Sequence, residues 1–316
     1  MSKRLVILAP NWLGDAVMAL PAIADVRRAM PDAAITVAAR PSVAPLFALV
    51  PEVDDHVDSA QIAGADIALL FPNAFRTALL AWRAGVPERW GYRTDGRGLL
   101  LTRGVDRPTQ SVHQVDYYRH LIAGLGFATG TDAPRIIVGD APREDACALL
   151  VASGWDGRSP LVAIAPGAAY GGAKRWPAER FAELAASLAR DGVQTVMVGS
   201  AADVATATVV AQAFTPAVDL VAKTNLPTLA GVFTHCRTLV TNDSGAMHLA
   251  AAVGLPVTAV FGPTRDAETR PRGDAHAVIT NPVWCRPCML RECPLDHRCL
   301  RTIDAATVVA AARRTL

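Results

Sequence analysis

The sequence predicts an α/β protein made of two doubly wound parallel sheets. Short runs of Val, Ile, Leu and Ala alternate with longer stretches of helical periodicity, the βαβ pattern of a parallel sheet covered on both faces. The pattern halts at a Gly, Asp, Ser and Pro break over 154–160 and then starts again. A length of 316 residues suits two domains better than one. The expected domains are residues 1–155 and 156–316, each Rossmann-like.

Taken in order, LVILAP reads as the first buried strand, followed by a helix near 15–30, the strand AITVAA, a helix near 42–50 and the strand ADIALLFP. Residues 92–115 have little periodicity and read as loops, before a helix carrying Tyr117, Leu121 and Leu125. A helix near 142–153 precedes the break. Beyond it come LVAIAP, a helix over 177–191, TVMVG, a helix over 202–213, VDLVA and a helix over 226–234. TLVTN, a helix over 245–253 and PVTAVFG follow. The closing helix, 304–315, carries Arg313 and Arg314 in its last turn, where the helix dipole favours cations.

Composition excludes several classes of function. With 51% hydrophobic and 19% charged residues the chain buries sizeable cores and is not disordered. The apolar run at the start meets Asn11 and Trp12 too soon for a signal peptide, and no run reaches the ~18–20 apolar residues that span a bilayer. A soluble, cytoplasmic protein is expected. A net charge of +2 is too small for binding nucleic acid by bulk electrostatics. One local excess stands out, eight arginines between Arg76 and Arg119 interleaved with Trp82, Trp90, Tyr92, Tyr117 and Tyr118. It reads either as a solvated face or as a site for a phosphorylated partner, since guanidinium matches phosphate in a two-pronged fork.

Open parallel sheets bind ligands beyond the carboxyl ends of their strands, so the residues that follow strands carry the functional reading. After the first strand stands Asn11, Trp12, Leu13, Gly14, Asp15, with no GxGxxG, which argues against a nicotinamide dehydrogenase. Asp15 reads as a helix N-cap or as a carboxylate able to take a proton from an attacking hydroxyl. After the first strand of the second domain stands APGAAYGGAKRWP, in which Gly167, Gly171 and Gly172 allow close backbone approach and Lys174 suits a diphosphate. The strongest motif is TNDSGAMHLAAAVGLPVTAVFGPT: the strand ends at Asp243, Ser244 and Gly245, and the next helix presents its N-terminal N–H groups to an anion. His248 lies one turn on; the bland reading makes Asp243 or Ser244 the cap and His248 a core histidine.

These segments, in this order over nearly the whole chain, resemble glycosyltransferase family nine, the ADP-heptose:lipopolysaccharide heptosyltransferases. The closing CRPCMLRECPLDHRC resembles the branch that extends the first core heptose. The resemblance implies a GT-B fold with the acceptor, a lipid A-core glycolipid at the cytoplasmic face of the inner membrane, on the first domain and ADP-heptose on the second. It implies Asp15 as catalytic base, Lys174 as phosphate lysine and Asp243, Ser244, Gly245 and His248 in the donor diphosphate loop with Gly167. Asp203 falls loosely near the donor ribose, and the acceptor side takes Asn11, Trp12, Gly14, Arg93 and Arg97. Inverting transfer with no catalytic metal follows. A transferase for the first core heptose or another family-nine glycosyltransferase, a sugar-nucleotide epimerase of similar architecture and a non-catalytic bilobal sugar-nucleotide binder are the alternatives.

Four of six cysteines cluster as Cys285, Cys288, Cys293 and Cys299, spaced C-x2-C-x4-C-x5-C around His297. In a reducing compartment such a cluster signals a structural zinc or free thiols before disulfides, although the second CxxC of a zinc ribbon is missing. Cys147 and Cys236 read as core residues.

Overall fold

The computed structural model describes residues 2–316. The chain forms two compact units, the first ending at Ile137 and the second running from Val138 to Leu316.

The first unit holds β1 (Arg4–Leu8), α1 (Leu13–Met18), α2 (Leu20–Ala29), β2 (Ala34–Ala39), β3 (Asp55–Asp58), β4 (Ile67–Leu70), α3 (Phe75–Arg83), β5 (Glu88–Tyr92), β6 (Arg103–Val105) and α4 (Gln114–Gly124). The sheet order is β3-β2-β1-β4-β5-β6, with every pairing parallel. Continuous apolar sequence marks the two central strands, β1 and β4, because both faces of each are covered. The helix expected over 15–30 is two helices that meet at Ala19, where Pro21 in the first turn of α2 has no N–H to continue the ladder. The stretch 92–115, read as loops, contains β6 and a 3₁₀ turn, Arg97–Leu100.

The second unit holds α5 (Asp140–Ala152), β7 (Leu161–Ala165), α6 (Ala178–Arg190), β8 (Gln194–Met197), α7 (Val204–Ala213), β9 (Val218–Asp219), α8 (Leu226–Thr234), β10 (Thr238–Asn242), α9 (Gly245–Val253), β11 (Val257–Phe261), α10 (Asp266–Thr269), β12 (Ala277–Thr280), α11 (Arg298–Arg301) and α12 (Ala305–Arg313). Its sheet, β12-β11-β10-β7-β8-β9, is again all parallel and repeats the strand order of the first. Phe181, Leu184, Ala185 and Leu188 recur at helical spacing on α6 and sink into one core with Trp176, Val240 and Val308. Full burial of each such Leu or Phe is worth about 1.5–3 kcal/mol.

The expected boundary at 155 is corrected by α5, which belongs to the second unit. Gly231 on α8 lets it in: a Cβ there would collide with the carbonyl of Pro142. His235 and the Arg143 carbonyl add a 3.0 Å hydrogen bond. Among the described residues no helix is long and apolar enough to cross a membrane.

Candidate functional site

Each sheet reverses its direction of growth between two neighbouring strands, β1 and β4 in the first unit and β7 and β10 in the second. In doubly wound sheets ligands bind at that reversal. In the second unit the two loops leaving β7 and β10 are tied together by Asn242, fully buried, whose amide nitrogen donates to the Pro166 carbonyl (2.7 Å) while its oxygen accepts from the Trp176 N–H (2.9 Å). The sequence marked the neighbours of Asn242 and missed this tie.

The tie brings Lys174 and Asp243 together. Lys174 Nζ is 2.5 Å from Asp243 Oδ2, with side chains 12% and 5% exposed, and Thr264 Oγ1 donates to the same oxygen at 2.7 Å. An ammonium has three N–H donors, so the pair orients Lys174 and leaves donors for a ligand. Ser244 takes the N-cap position of α9, as the cap reading has it, but makes no capping hydrogen bond. No side chain caps α9, and the Ser244 hydroxyl lies 3.1 Å from that of Thr241. The first N–H groups of α9 are left for an anion beside a lysine. His248 is buried in α9, one turn from Ser244.

Two of the expected site residues pack on each other. Gly167, read as a place for close ligand approach, makes room for Asp203, whose Oδ1 a Cβ there would strike. Asp203, 9% exposed, accepts at Oδ2 from both the N–H and the hydroxyl of Ser200, 2.8 Å each, and so braces its own turn. Gly171 and Gly172 also admit protein: a Cβ would collide with the Arg291 carbonyl at the first and lie 2.6 Å from Glu292 Oε2 at the second.

In the first unit Asp15 is not the cap of α1. Trp12 occupies that position with no capping side chain, and Asp15 stands in the first helical turn just beyond β1, half-buried. Burial, and after it the negative charge of Asp15, push the hydroxyl of Tyr118 well above its usual range, which puts the carboxylate within electrostatic reach of that ring. Tyr118 in turn stacks edge-on against Phe71 at the end of β4, 5.1 Å between centroids. Asn11 and Gly14 flank Asp15 half-buried, and Trp12 is 54% exposed. Asn73, just past β4, donates to the Tyr117 hydroxyl at 2.8 Å and keeps a buried oxygen without a hydrogen-bond partner. Sequence reading gave it no role.

The arginine-rich stretch divides in two. Arg97, expected to hold the acceptor, is fully buried. It donates to the carbonyls of Tyr92 (2.8 Å) and Pro72 and to the Thr77 hydroxyl (3.1 Å), and burial pushes its pKa down to about 10. Such an arginine is a strut between β4, α3 and β5. Arg89, Arg103 and Arg119 likewise donate to backbone carbonyls. Arg93 is exposed, 3.3 Å from Asp106, and lines an open depression of about 490 Å³ with Thr94, Asp95 and Leu99. Truncating the strut leaves its carbonyl partners short of donors, so Arg97→Met is expected to cost about 2 kcal/mol or more in chemical denaturation. An unchanged unfolding midpoint would return Arg97 to the surface set.

All six cysteines are free. Cys236 is buried as expected, whereas Cys147 is only partly so. Cys285, Cys288, Cys293 and Cys299 line one small pocket of about 20 Å³, together with Ala173, Pro263, Arg286 and Arg298. That void admits roughly one water-sized guest. As the side chains stand, no three His, Cys, Asp or Glu among the described residues are arranged to hold a metal ion.

Residues 60–298 match the family described as Glycosyltransferase family 9 (heptosyltransferase). The lipopolysaccharide heptosyltransferase 2 of Escherichia coli K12 is 30% identical over 310 residues, covering 87% of each protein. The lipooligosaccharide heptosyltransferase 2 of Haemophilus influenzae is 29% identical over 310 residues, 87% of this chain and 88% of the relative. The solved E. coli ADP-heptose lps heptosyltransferase II superposes with a TM-score of 0.86 at 27% identity, covering 99% of this chain and 98% of that one. The fold is therefore the GT-B α/β architecture, the protein is a glycosyltransferase, and the chain belongs to glycosyltransferase family 9, the heptosyltransferases.

Proposed function

We propose that the chain transfers a heptose from ADP-L-glycero-β-D-manno-heptose to the heptose already present on the lipopolysaccharide inner core, with inversion at the anomeric carbon. The observation that carries this is Lys174 beside the uncapped start of α9, on the two loops that flank the switch point of the second sheet. The relatives named heptosyltransferase 2 support the choice of acceptor.

In this reading the acceptor hydroxyl gives its proton to Asp15 as its oxygen bonds to the anomeric carbon. The bond from that carbon to the diphosphate oxygen breaks on the opposite side, and ADP leaves with the electron pair. Lys174 and the N–H groups opening α9 meet the charge that gathers on the diphosphate, preorganised before the reaction starts. ADP is a good enough leaving group to need no separate acid. The acceptor is a lipid A-core glycolipid, which places the enzyme at the cytoplasmic face of the inner membrane. Incubation with ADP-heptose and either heptose-bearing or heptose-free core acceptor tests the reading. Transfer only to the former supports it; transfer to the heptose-free core makes the chain the first heptosyltransferase, and turnover without acceptor makes it an epimerase.

With Arg97 in the fold, the acceptor's anionic groups fall to Arg93. Arg93→Ala is expected to raise the acceptor KM several-fold, more at low salt than at high, because exposed charges are screened over about 10 Å at 0.1 M. ADP affinity should stay as it is. An acceptor KM indifferent to both salt and Arg93 would remove the residue from the site.

A second reading concerns the cysteines. Four soft donors facing one small void fit the chemistry of a structural zinc, which would draw the thiolates together and take no part in transfer. Elemental analysis of protein purified without chelator should then find about one zinc per chain. The ion and part of the thermal stability should be lost together when Cys285 and Cys288 become Ser. Metal-free protein of full stability would establish the four as thiols.

A further inference from the structure

We infer that residues 289–292, inside the cysteine-bearing segment, are positioning residues for the donor: they clasp the loop that carries Lys174 and so fix where its ammonium stands. The inference rests on the reading of Lys174 as the diphosphate lysine.

The loop over 170–174 contains only a single 3₁₀ turn, Gly172–Lys174, and relies on its neighbours for order. The cysteine segment supplies them. Tyr170 donates its hydroxyl to the Met289 carbonyl at 2.8 Å. The N–H of Ala173 donates to the Arg291 carbonyl at 2.9 Å, and that of Gly172 to the Glu292 carboxylate at 3.0 Å. The Tyr170 ring takes two cations, Lys174 Nζ at 4.6 Å and the Arg291 guanidinium at 5.3 Å from its centroid. The approach is so close that only glycine fits at 171, where φ is +155°.

The segment is itself held at the far side of the same site. Met289 N–H donates to the Pro263 carbonyl at 3.0 Å, and Arg286 reaches the Gly262 carbonyl at 2.8 Å and Asp266 at 2.7 Å. Thr264, in that same turn after β11, bonds Asp243. One segment thus braces both partners of the Lys174–Asp243 pair. A lysine side chain is long and rotamer-rich, so its useful placement depends on a fixed backbone beneath it, and a misplacement of about 1 Å can cost up to 10²-fold in rate.

The clasp is tested in the full-length protein with Glu292→Ala, Glu292→Gln and Tyr170→Phe, and with Lys174→Met as reference. Measurements are ADP affinity by titration, steady-state KM for each substrate, and amide exchange at Gly172 and Ala173. Losing a charge-assisted hydrogen bond predicts that Glu292→Ala raises the ADP Kd and the donor KM about tenfold, leaves the acceptor KM unchanged and speeds exchange at both amides. Gln keeps an oxygen acceptor for Gly172 and should recover most of the loss, which a merely destabilised fold would not predict. Tyr170→Phe keeps the ring and loses the bond to Met289, so it should shift ADP affinity the same way by less; it carries the comparison if Glu292→Ala does not fold. Unchanged ADP affinity and exchange in Glu292→Ala, with ADP binding weakened in Lys174→Met, would overturn the clasp alone. If Lys174→Met itself leaves ADP affinity intact, the lysine reading falls and the positioning role with it; faster exchange in Glu292→Ala would then mark 289–292 as a structural brace.

Discussion

Asp15→Asn is expected to lower kcat by roughly 10²- to 10⁴-fold, the usual worth of a general base. The substitution keeps the shape of the side chain and removes its capacity to hold a proton. Since Trp12 and not Asp15 is the N-cap of α1, the helix loses no cap; it loses one negative charge from its first turn, worth about 0.3–1 kcal/mol. Asn also keeps an oxygen acceptor of the same shape, so the variant should unfold close to the parent. ADP affinity should hold, the nucleotide being assigned to the second unit. Near-parental kcat at saturating donor and acceptor would reduce Asp15 to a favourable helix charge.

Lys174→Met should lower kcat/KM for the donor by about 10²- to 10³-fold, the range for deleting one preorganised charge stabiliser. It should weaken ADP binding as well. Here stability interferes. Met leaves Asp243, 5% exposed, with Thr264 and no cation, and orphaning one partner of a buried ion pair costs about 3–5 kcal/mol. The double variant Lys174→Met with Asp243→Asn removes both charges and should regain most of the lost stability without regaining donor binding. If the double variant also binds ADP normally, the pair is structural and the diphosphate lies elsewhere.

What was legible in the sequence follows physical lines. β1, β4, β7, β10 and β11 are buried on both faces, so their composition alone gives them away. The strands β3, DHVD, and β6, RGV, lie toward the polar margin of their sheet and have no apolar run to read, and β5, ERWGY, begins on charged residues. The loops that follow strands were found because topology dictates where ligands bind. The jobs of single residues within them were not, since those jobs depend on contacts far apart in sequence: Gly172 with Glu292, Asn242 with Pro166, Arg97 with Pro72. An arginine that ends as a buried strut and one that ends on the surface are written with the same letter. Helix α5 was assigned to the wrong half because the visible break in composition comes after it, whereas its packing partner, Gly231, lies some eighty residues further on.

The uncapped first turn of α9 has a consequence for how this protein responds to occupancy. Ser244 stands at the N-cap of α9 without a capping hydrogen bond, which forgoes the roughly 1 kcal/mol such a bond supplies. A bound diphosphate would supply the missing acceptors itself and become the helix's first residue in all but covalent connection. Filling the proposed site and completing the first turn of α9 would then be one event, so donor binding should raise the stability of the second unit.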